Sequence, residues 1–447
     1  MLARHLSLVT AFVTAMLTSY FHHLEERSPV RWWGRVTKAI GQLVESEGPF
    51  CSVGECCAIT DRSGRIYEGE VVGFRGPTVL SMPLERLGGI RYGDRIATWG
   101  KRPTIQAGDD LLGRVIDALG NPLDSGPPFR RHQTWPLHAS PPLPLQRSPI
   151  REPLGCGVRA IDGFATCGRG QRLGLFGGSG VGKTTLIGMM ARGSAADLTV
   201  LALVGERGRE VREFLDKALG EKGCRRSVVV VSTSDQSPLL RIRAALAATS
   251  LAEYFCSRGK HVLLVVDSLT RVAMAQREIG LASGEPPTSR GYTPSVFTLL
   301  AGLIERAGHF GHGSITAFYT VLMEGDDQQD PLVDAVRALL DGHIVLDRRL
   351  ALQNHYPAIS LLDSLSRLAP AVCSTECVDK ARRLRKLMAA YSAAEDLIRV
   401  GAYQKGFDPV LDQAVAALPA ITTFLQQSSD HSAPFDQNQA ALLALPG

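Results

Sequence analysis

The 447-residue sequence lacks the cysteine pattern of a disulfide-stabilised or zinc-binding protein. Its nine cysteines are an odd number, and no two of them have CxxC spacing. Cys373 and Cys377 are four residues apart, but no second pair of cysteine or histidine follows them to complete a tetrahedral zinc site. We therefore expect free thiols in a reducing compartment.

The sequence also lacks a strong excess of one charge. Its 49 lysines and arginines are mixed with 44 aspartates and glutamates, which gives a net charge of +5. This balance does not predict a nucleic-acid-binding protein, and it leaves contact with acidic lipids open. We find no internal repeats.

A run long enough to span a membrane is absent as well. The uncharged stretch at residues 6–21 is shorter than the roughly 20 residues that a spanning helix needs, and no small-residue cleavage site follows it. Its apolar residues recur at helical intervals. For residues 1–30 we predict an amphipathic helix that docks on a partner or a membrane surface, with a poorly ordered leader as the alternative.

The sequence after residue 30 divides into four predicted parts. Short apolar runs and glycine-rich turns predict a small β-barrel over 31–105, and the proline-rich segment 106–149 is predicted to be a largely extended linker. Over 150–371, apolar strand candidates alternate with helix-length segments, as in an α/β domain with buried parallel strands. Residues 372–447 are predicted to be helical, with the last dozen frayed.

The most specific motif is GGSGVGKT at 177–184, which matches GxxxxGK[ST] between a strand and a helix. Such a loop directs backbone N–H groups and a helix N-terminus at phosphate oxygens. Lys183 would reach the β- and γ-phosphates of ATP, and the Thr184 hydroxyl would bind Mg²⁺. The predicted nucleotide-binding residues in this loop are Gly177, Gly178, Ser179, Gly180, Val181, Gly182, Lys183, Thr184 and Thr185.

Two carboxylates follow apolar strands of the same region. Asp267 ends the strand candidate HVLLVVD, where the edge of an open α/β sheet faces its ligand, and is predicted to be linked to the metal. Glu206 ends LALVGE and is the candidate for orienting the water that attacks the γ-phosphate. Nearby Glu210, Arg212 and Glu213 are better explained as a solvated helix face.

Several long segments resemble the ATPases of type III protein export, a family grouped with the catalytic subunits of F-type and V-type rotary ATPases. The resemblance covers roughly residues 34–428. The segments that carry it are LLGRVIDALGNPLD (111–124), GERGREVREF (205–214), DSLTR (267–271), AQREIGLASGEPPTSRGYTPSVF (275–297), GSITAFYTVLMEGDD (313–327), DGHIVLDRRLALQNHYPAI (341–359) and LIRVGAYQKG (397–406).

This resemblance implies a RecA-like P-loop core between a small N-terminal β-barrel and a C-terminal helical domain. It implies a role for each matching residue. Lys183 and Thr184 match the phosphate-loop lysine and the metal-binding hydroxyl, and Asp267 matches the metal-associated aspartate. Glu206 matches the water-activating carboxylate, with Arg207 beside it, and Arg271 matches an arginine near the γ-phosphate. Tyr356 matches the aromatic residue that stacks on adenine, and Arg367 matches the arginine finger.

The family's arginine finger acts on the neighbouring subunit's site, which implies a self-sufficient homohexameric ring. The resemblance further implies a cytoplasmic position at the inner face of the cytoplasmic membrane, with peripheral membrane contact allowed. Expected partners are export-gate membrane proteins, a regulatory stator-like protein, and chaperones and cargo at the C-terminal helices. We expect no nucleic acid, because the barrel segment has no aromatic-plus-basic stripe.

Within the family, SGVGKTTLIGMMAR and AAEDLIRVGAYQKG look flagellar, and the ATPase of a virulence injectisome is the alternative. A rotary ATP synthase subunit is disfavoured because no acidic DELSEED-like stretch is present. A scaffold without turnover is disfavoured by the catalytic residues. Three positions depart from the family pattern, none of them catalytic: Gly178 where alanine is frequent, Val272 where an aromatic is common, and Ser360 where an acidic residue is expected.

Overall fold

The computed structural model describes residues 30–86, 88–129, 133–323 and 330–447. The helix predicted at 1–30 falls outside these ranges except for its last residue. The chain divides into two compact units, one comprising the residues up to Pro103 with Ala282–Gly284, the other Thr104–Leu281 and Glu285–Gly447. In the described part, no helix has both the length and the apolarity needed to cross a membrane.

The first unit contains the predicted barrel. Its strands are β1 (Trp32–Ile40), β2 (Leu43–Glu47), β3 (Cys56–Thr60), β4 (Ile66–Arg75), β5 (Thr78–Pro83) and β6 (Arg95–Thr98). They close in the order β1-β2-β5-β4-β3-β6, with β6 paired back to β1. Alternate residues point inward, and Val36, Val44, Ile59 and Ile96 form its core.

The second unit is built on a mostly parallel sheet in the order β17-β16-β10-β15-β13-β11-β12-β8. Its central strands are buried on both faces, as their continuous apolar runs predict. β17 runs antiparallel to β16 at one edge. The strands of this unit are β7 (Thr104–Ala107), β8 (Val115–Asp117), β9 (Gln133–Pro136), β10 (Arg172–Gly177), β11 (Leu198–Glu206), β12 (Ser227–Thr233), β13 (His261–Asp267), β14 (Gly308–His309), β15 (Ser314–Leu322), β16 (Gly342–Leu346) and β17 (Ile359–Ser366).

Helices cover this sheet and form the C-terminal region. They are α1 (Arg159–Phe164), α2 (Lys183–Gly193), α3 (Gly208–Glu213), α4 (Gly220–Arg225), α5 (Pro238–Ser257), α6 (Leu269–Ser283), α7 (Pro294–Ile304), α8 (Pro331–Leu339), α9 (Arg348–Leu352), α10 (Ala369–Val372), α11 (Thr375–Arg399), α12 (Pro409–Leu425) and α13 (Phe435–Leu443). A π-type stretch joins α3 to α4. The α/β core with barrel and C-terminal helices confirms the predicted fold class.

The segment predicted as a linker is more ordered than its prolines suggest. β7 pairs with β9, and β8 joins the edge of the main sheet beside β12. Ile105 and Ile116 are buried, so each short strand has an apolar residue that anchors it. The buried Arg306 donates to the Leu137 carbonyl at 2.7 Å and thereby ties the segment to the helical layer.

The expectation that the last dozen residues fray is wrong. Most of those residues belong to α13, whose Leu442 is fully buried and whose Asn438 donates to Asp162 in α1 at 2.7 Å. Leu384 of α11 and Ile421 of α12 belong to the same hydrophobic core as the main sheet. The helices are held by this packing, which local sequence does not encode.

Candidate active site

Parallel pairing brings the predicted site residues to one edge of the sheet. β15 lies between β10 and β13, and β11 lies on the far side of β13. In this register Gly177 pairs with Leu322 and Leu203 pairs with Asp267. The phosphate loop, Asp267 and Glu206 therefore all follow strands that end at the same carboxyl edge, where open α/β sheets bind their ligands.

The phosphate loop has the backbone that its glycines predict. Gly180 and Gly182 have φ angles of 80° and 91°, which a residue with a side chain rarely adopts. α2 begins directly after Gly182, and no side-chain hydrogen bond caps it. The N–H groups of its first turn are thus open to an anion, with the helix dipole favouring negative charge.

A buried ion pair joins the loop to the strand of Asp267. Lys183 Nζ lies 2.6 Å from Asp267 Oδ1, and their side chains are only 11% and 5% exposed. Thr320 Oγ1 donates to the same carboxylate oxygen at 2.6 Å. The sequence motifs did not single out Thr320, because its role depends on β15 lying beside β13.

Glu206 is half-buried at the end of β11. Burial, and after it the negative charge of Asp267, raises the pKa of Glu206 to about 7 against the opposing charge of Lys183. A hydrogen bond that protonated Glu206 donates to the neighbouring Glu210 carboxylate, and the negative charge of Glu210, raise the pKa further. A carboxyl group with a pKa near neutrality is suited to accept a proton from water.

The two predicted arginines beside this carboxylate have different surroundings. The aliphatic part of the Arg271 side chain packs on Gly205. A Cβ added to Gly205 would lie 2.9 Å from Arg271 Cγ. Among the described residues nothing hydrogen-bonds the buried Nε of Arg271, which leaves a donor suited to a phosphate oxygen. The side chain of Arg207 is 79% exposed, and its Nη1 lies 3.6 Å from Glu210 Oε1.

Tyr356 reaches the phosphate loop from the segment between α9 and β17. A Cβ built on Gly182 would lie 3.4 Å from both Cδ1 and Cε1 of the Tyr356 ring. The residue is 42% exposed, so part of the ring is accessible beside the loop. An exposed aromatic face at this place can stack on a planar base.

Arg367 lies at the amino ends of the parallel strands, opposite the carboxyl ends where the phosphate loop lies. It follows β17, where Ser366 pairs with Gly342 at the amino end of β16, and its N–H donates to the Asp341 carbonyl. β16 is parallel to β10, so the length of a strand of about 15 Å separates Arg367 from its own phosphate loop. Its side chain is exposed.

The residues at the site also fit a magnesium ion. Among the residues that the structure describes, no group of three or more His, Cys, Asp or Glu forms a protein cage for a metal. Mg²⁺ prefers oxygen ligands and is commonly held by one or two protein groups together with substrate phosphates. The Thr184 hydroxyl and the Asp267 carboxylate supply oxygens of this kind beside the phosphate loop.

The structure shows the surroundings of two of the three positions that depart from the family pattern. Ser360 Oγ donates to Asp363 at 2.7 Å, so an acidic group lies beside the position where one was expected. Val272 is fully buried in α6.

Two stretches of the second unit match known protein families. Residues 157–366 match the nucleotide-binding domain of the ATP synthase alpha/beta family, and residues 373–444 match the T3SS EscN ATPase C-terminal domain. The flagellum-specific ATP synthase of Bacillus subtilis is 48% identical over 426 residues, 95% of this chain and 97% of that protein.

A secretion-system relative and a solved structure are similarly close. The type 3 secretion system ATPase of Sinorhizobium fredii is 48% identical over 405 residues, 90% of this chain and 90% of that protein. The assembled ATPase EscN of enteropathogenic E. coli, solved in complex with its central stalk EscO, has a TM-score of 0.84 at 44% identity, covering 92% of this chain and 98% of that chain.

Proposed function

The chain belongs to the type III export ATPases of the ATP synthase alpha/beta family, and from that premise we propose that it hydrolyses ATP to energise or prime the export of flagellar proteins. The observation that carries the proposal is the meeting of Lys183, Asp267 and Glu206 beside an uncapped phosphate-loop helix. A phosphate-binding loop, a metal-linked carboxylate and a near-neutral carboxyl group are the parts that hydrolysis requires.

The flagellar assignment rests on the relatives and on two sequence segments. Flagellum-specific ATP synthases of Bacillus subtilis and Salmonella typhimurium are 48% and 50% identical to this chain. The second candidate is the ATPase of an injectisome, which the 48% identity to the Sinorhizobium fredii protein supports. The chemistry is the same in both cases, and the cargo differs.

Each site residue has a role in this proposal. The loop Gly177–Thr185 cradles the phosphates, Lys183 and Arg271 balance their charge, and Tyr356 stacks on the adenine. Thr184 and Asp267 hold Mg²⁺, which when bound neutralises the charge that develops on the phosphates. Glu206 orients the attacking water and accepts its proton. Arg207 follows Glu206 directly and contributes positive charge beside it.

We further propose a homohexameric ring in which Arg367 completes the neighbouring site. The exposed position of Arg367 at the edge opposite its own phosphate loop supports action on another subunit. The related EscN was solved as an assembled ATPase with a central stalk. By analogy, we place the ring in the cytoplasm at the inner face of the membrane, contacting gate proteins, a stalk or stator-like regulator, chaperones and cargo.

The first test is the substitution Glu206→Gln, which keeps the side-chain size and removes the base. We expect ATP turnover to fall by a factor of about 10² or more, with ATP binding retained because the phosphate loop is untouched. Glu213→Gln is the matched control, since Glu213 lies nearby on α3 and pairs with Lys217 at the surface. Equal turnover in Glu206→Gln and the unmodified protein would refute the assignment.

The same variant separates the two cargo assignments in the host. We would delete the gene, complement it with the unmodified chain or Glu206→Gln, and score swimming together with secreted flagellar proteins. Loss of both, restored only by the unmodified chain, is expected. Normal swimming with a different set of secreted proteins lost would move the chain to the injectisome branch.

A further inference from the structure

The segment between α12 and α13, residues 426–434, is fastened to the nucleotide-binding core by one buried side chain. Gln427 is 6% exposed, and both ends of its amide are used. Its Nε2 donates to the carbonyls of Gly157 and His431, each at 2.8 Å, and its Oε1 accepts from the N–H of Arg159 at 2.9 Å. The backbone of Gln427 is thus held firmly against α1.

The backbone of Gln427 in turn holds Tyr356. The N–H of Gln427 donates to the Tyr356 carbonyl at 2.9 Å. The ring of Tyr356 lies beside Gly182 in the phosphate loop. A residue far along the chain therefore fixes the main chain of Tyr356, the aromatic residue beside the phosphate loop.

The rest of the segment contacts the same region. The guanidinium of Arg159 donates to the Gln426 carbonyl. Arg192, near the end of the phosphate-loop helix α2, donates to the Ser429 carbonyl at 2.7 Å. The segment therefore contacts α1, the far end of the phosphate-loop helix α2, and Tyr356.

We propose that Gln427 is a positioning residue for nucleotide binding, which fixes the Tyr356 ring where a base stacks. The proposal rests on the proposed function, in which Tyr356 stacks on adenine. Gln427 itself is buried and acts through the carbonyl of Tyr356. Because Gln427 comes two residues after the end of α12, it also links the C-terminal helices to affinity for the base.

A purely structural role for Gln427 makes a different prediction. Gln439 is also a buried glutamine of the C-terminal region, and its Nε2 donates to the Asp162 carbonyl in α1 at 2.5 Å. It docks a C-terminal helix on the same α1 but is not in the chain of contacts that leads to Tyr356. Gln439→Ala is therefore the matched control for loss of docking alone.

The experiment compares ligands with and without a base. In Gln427→Ala, and in Gln427→Met, which keeps the length of the side chain, we expect the Kd and KM for ATP to rise by about five- to tenfold, the share that aromatic stacking provides. The kcat should stay within about twofold and the Kd for inorganic tripolyphosphate should not change, because the phosphate loop is intact. Gln439→Ala should leave the ratio of the two Kd values as it is.

A double-mutant cycle with Tyr356→Ala completes the test. If Gln427 acts through Tyr356, adding Gln427→Met to Tyr356→Ala costs no further ATP affinity. Independent effects, or equal weakening of ATP and tripolyphosphate in Gln427→Met, would overturn the proposal. An unmodified protein that does not hydrolyse ATP would instead refute the proposed function, and normal ATP affinity in Tyr356→Ala would refute the stacking assignment on which the inference rests.

Discussion

At the scale of single residues, Asp162 is the buried carboxyl group that joins the start of the nucleotide-binding core to the last helix. Three N–H donors converge on it, from Cys156 at 2.7 Å, Gly157 at 3.1 Å and Asn438 at 2.7 Å. Burial nevertheless raises its pKa to about 6, from an ordinary value of 3.8. Between about pH 4 and pH 6 the folded chain therefore keeps a proton that the unfolded chain has released.

This sign predicts how stability depends on pH. The stabilising contribution of protonated Asp162 is present at low pH and is lost as the pH rises through about 6. Relative to Asp162→Asn, which does not titrate, the unmodified protein should lose about 1–1.5 kcal/mol of unfolding free energy between pH 5 and pH 7.5. Urea unfolding of both proteins at both pH values measures this difference. A difference of opposite sign would mean that the three donors outweigh burial.

The site residues that the sequence predicts lie in local motifs, whereas the residues that it misses depend on contacts between distant parts of the chain. Lys183 and Asp267 lie in local motifs, a glycine-rich loop and an apolar strand end, and the structure places both at one edge. Thr320 and Gln427 carry no local signal. The role of Thr320 depends on which strands are neighbours, and that of Gln427 on a contact with Tyr356, 71 positions earlier in the chain.

At the scale of elements, α13 shows how tertiary packing decides the fate of a short helix. Its nine residues are too few for stability in isolation. Leu442 is fully buried in the core shared with the main sheet, whereas its neighbour Leu443 is only partly buried. The strands of the main sheet were predictable from continuous apolar runs, but α13 and β8 are stabilised by partners distant in sequence.

The contrast between these two leucines is a direct test of that docking. Leu442→Ala should lower the free energy of unfolding by about 2–5 kcal/mol, the range for substitutions that leave a cavity in a core. Leu443→Ala should lower the free energy of unfolding clearly less, because Leu443 is only partly buried. Both variants change helix propensity equally, so the difference between them reports the buried contact. Denaturant unfolding of both variants provides the measurement. Equal, small effects would show that α13 frays in solution after all.

At the scale of the whole molecule, Arg367 and the phosphate loop lie at opposite ends of the parallel strands. The family resemblance predicts that Arg367 is an arginine finger, and the antiparallel direction of β17 puts it at the end of the sheet away from its own phosphate loop. No sequence pattern gives that placement, because it follows from the direction in which the last strand joins the sheet. A site completed by a second copy is the arrangement that this geometry favours.

Mixing two inactive variants tests action between subunits. Arg367→Ala keeps its own site and lacks the finger, whereas Glu206→Gln keeps the finger and lacks the base, so each alone should show little turnover. In an equal mixture, about a quarter of the interfaces combine an intact site with an intact finger, and ATPase activity should return to roughly that fraction. Replacing Glu206→Gln in the mixture by the double variant Arg367→Ala/Glu206→Gln removes every intact finger and should give no recovery. A mixture that stays as inactive as its parts, with assembly confirmed, would show that Arg367 does not act on the neighbouring site.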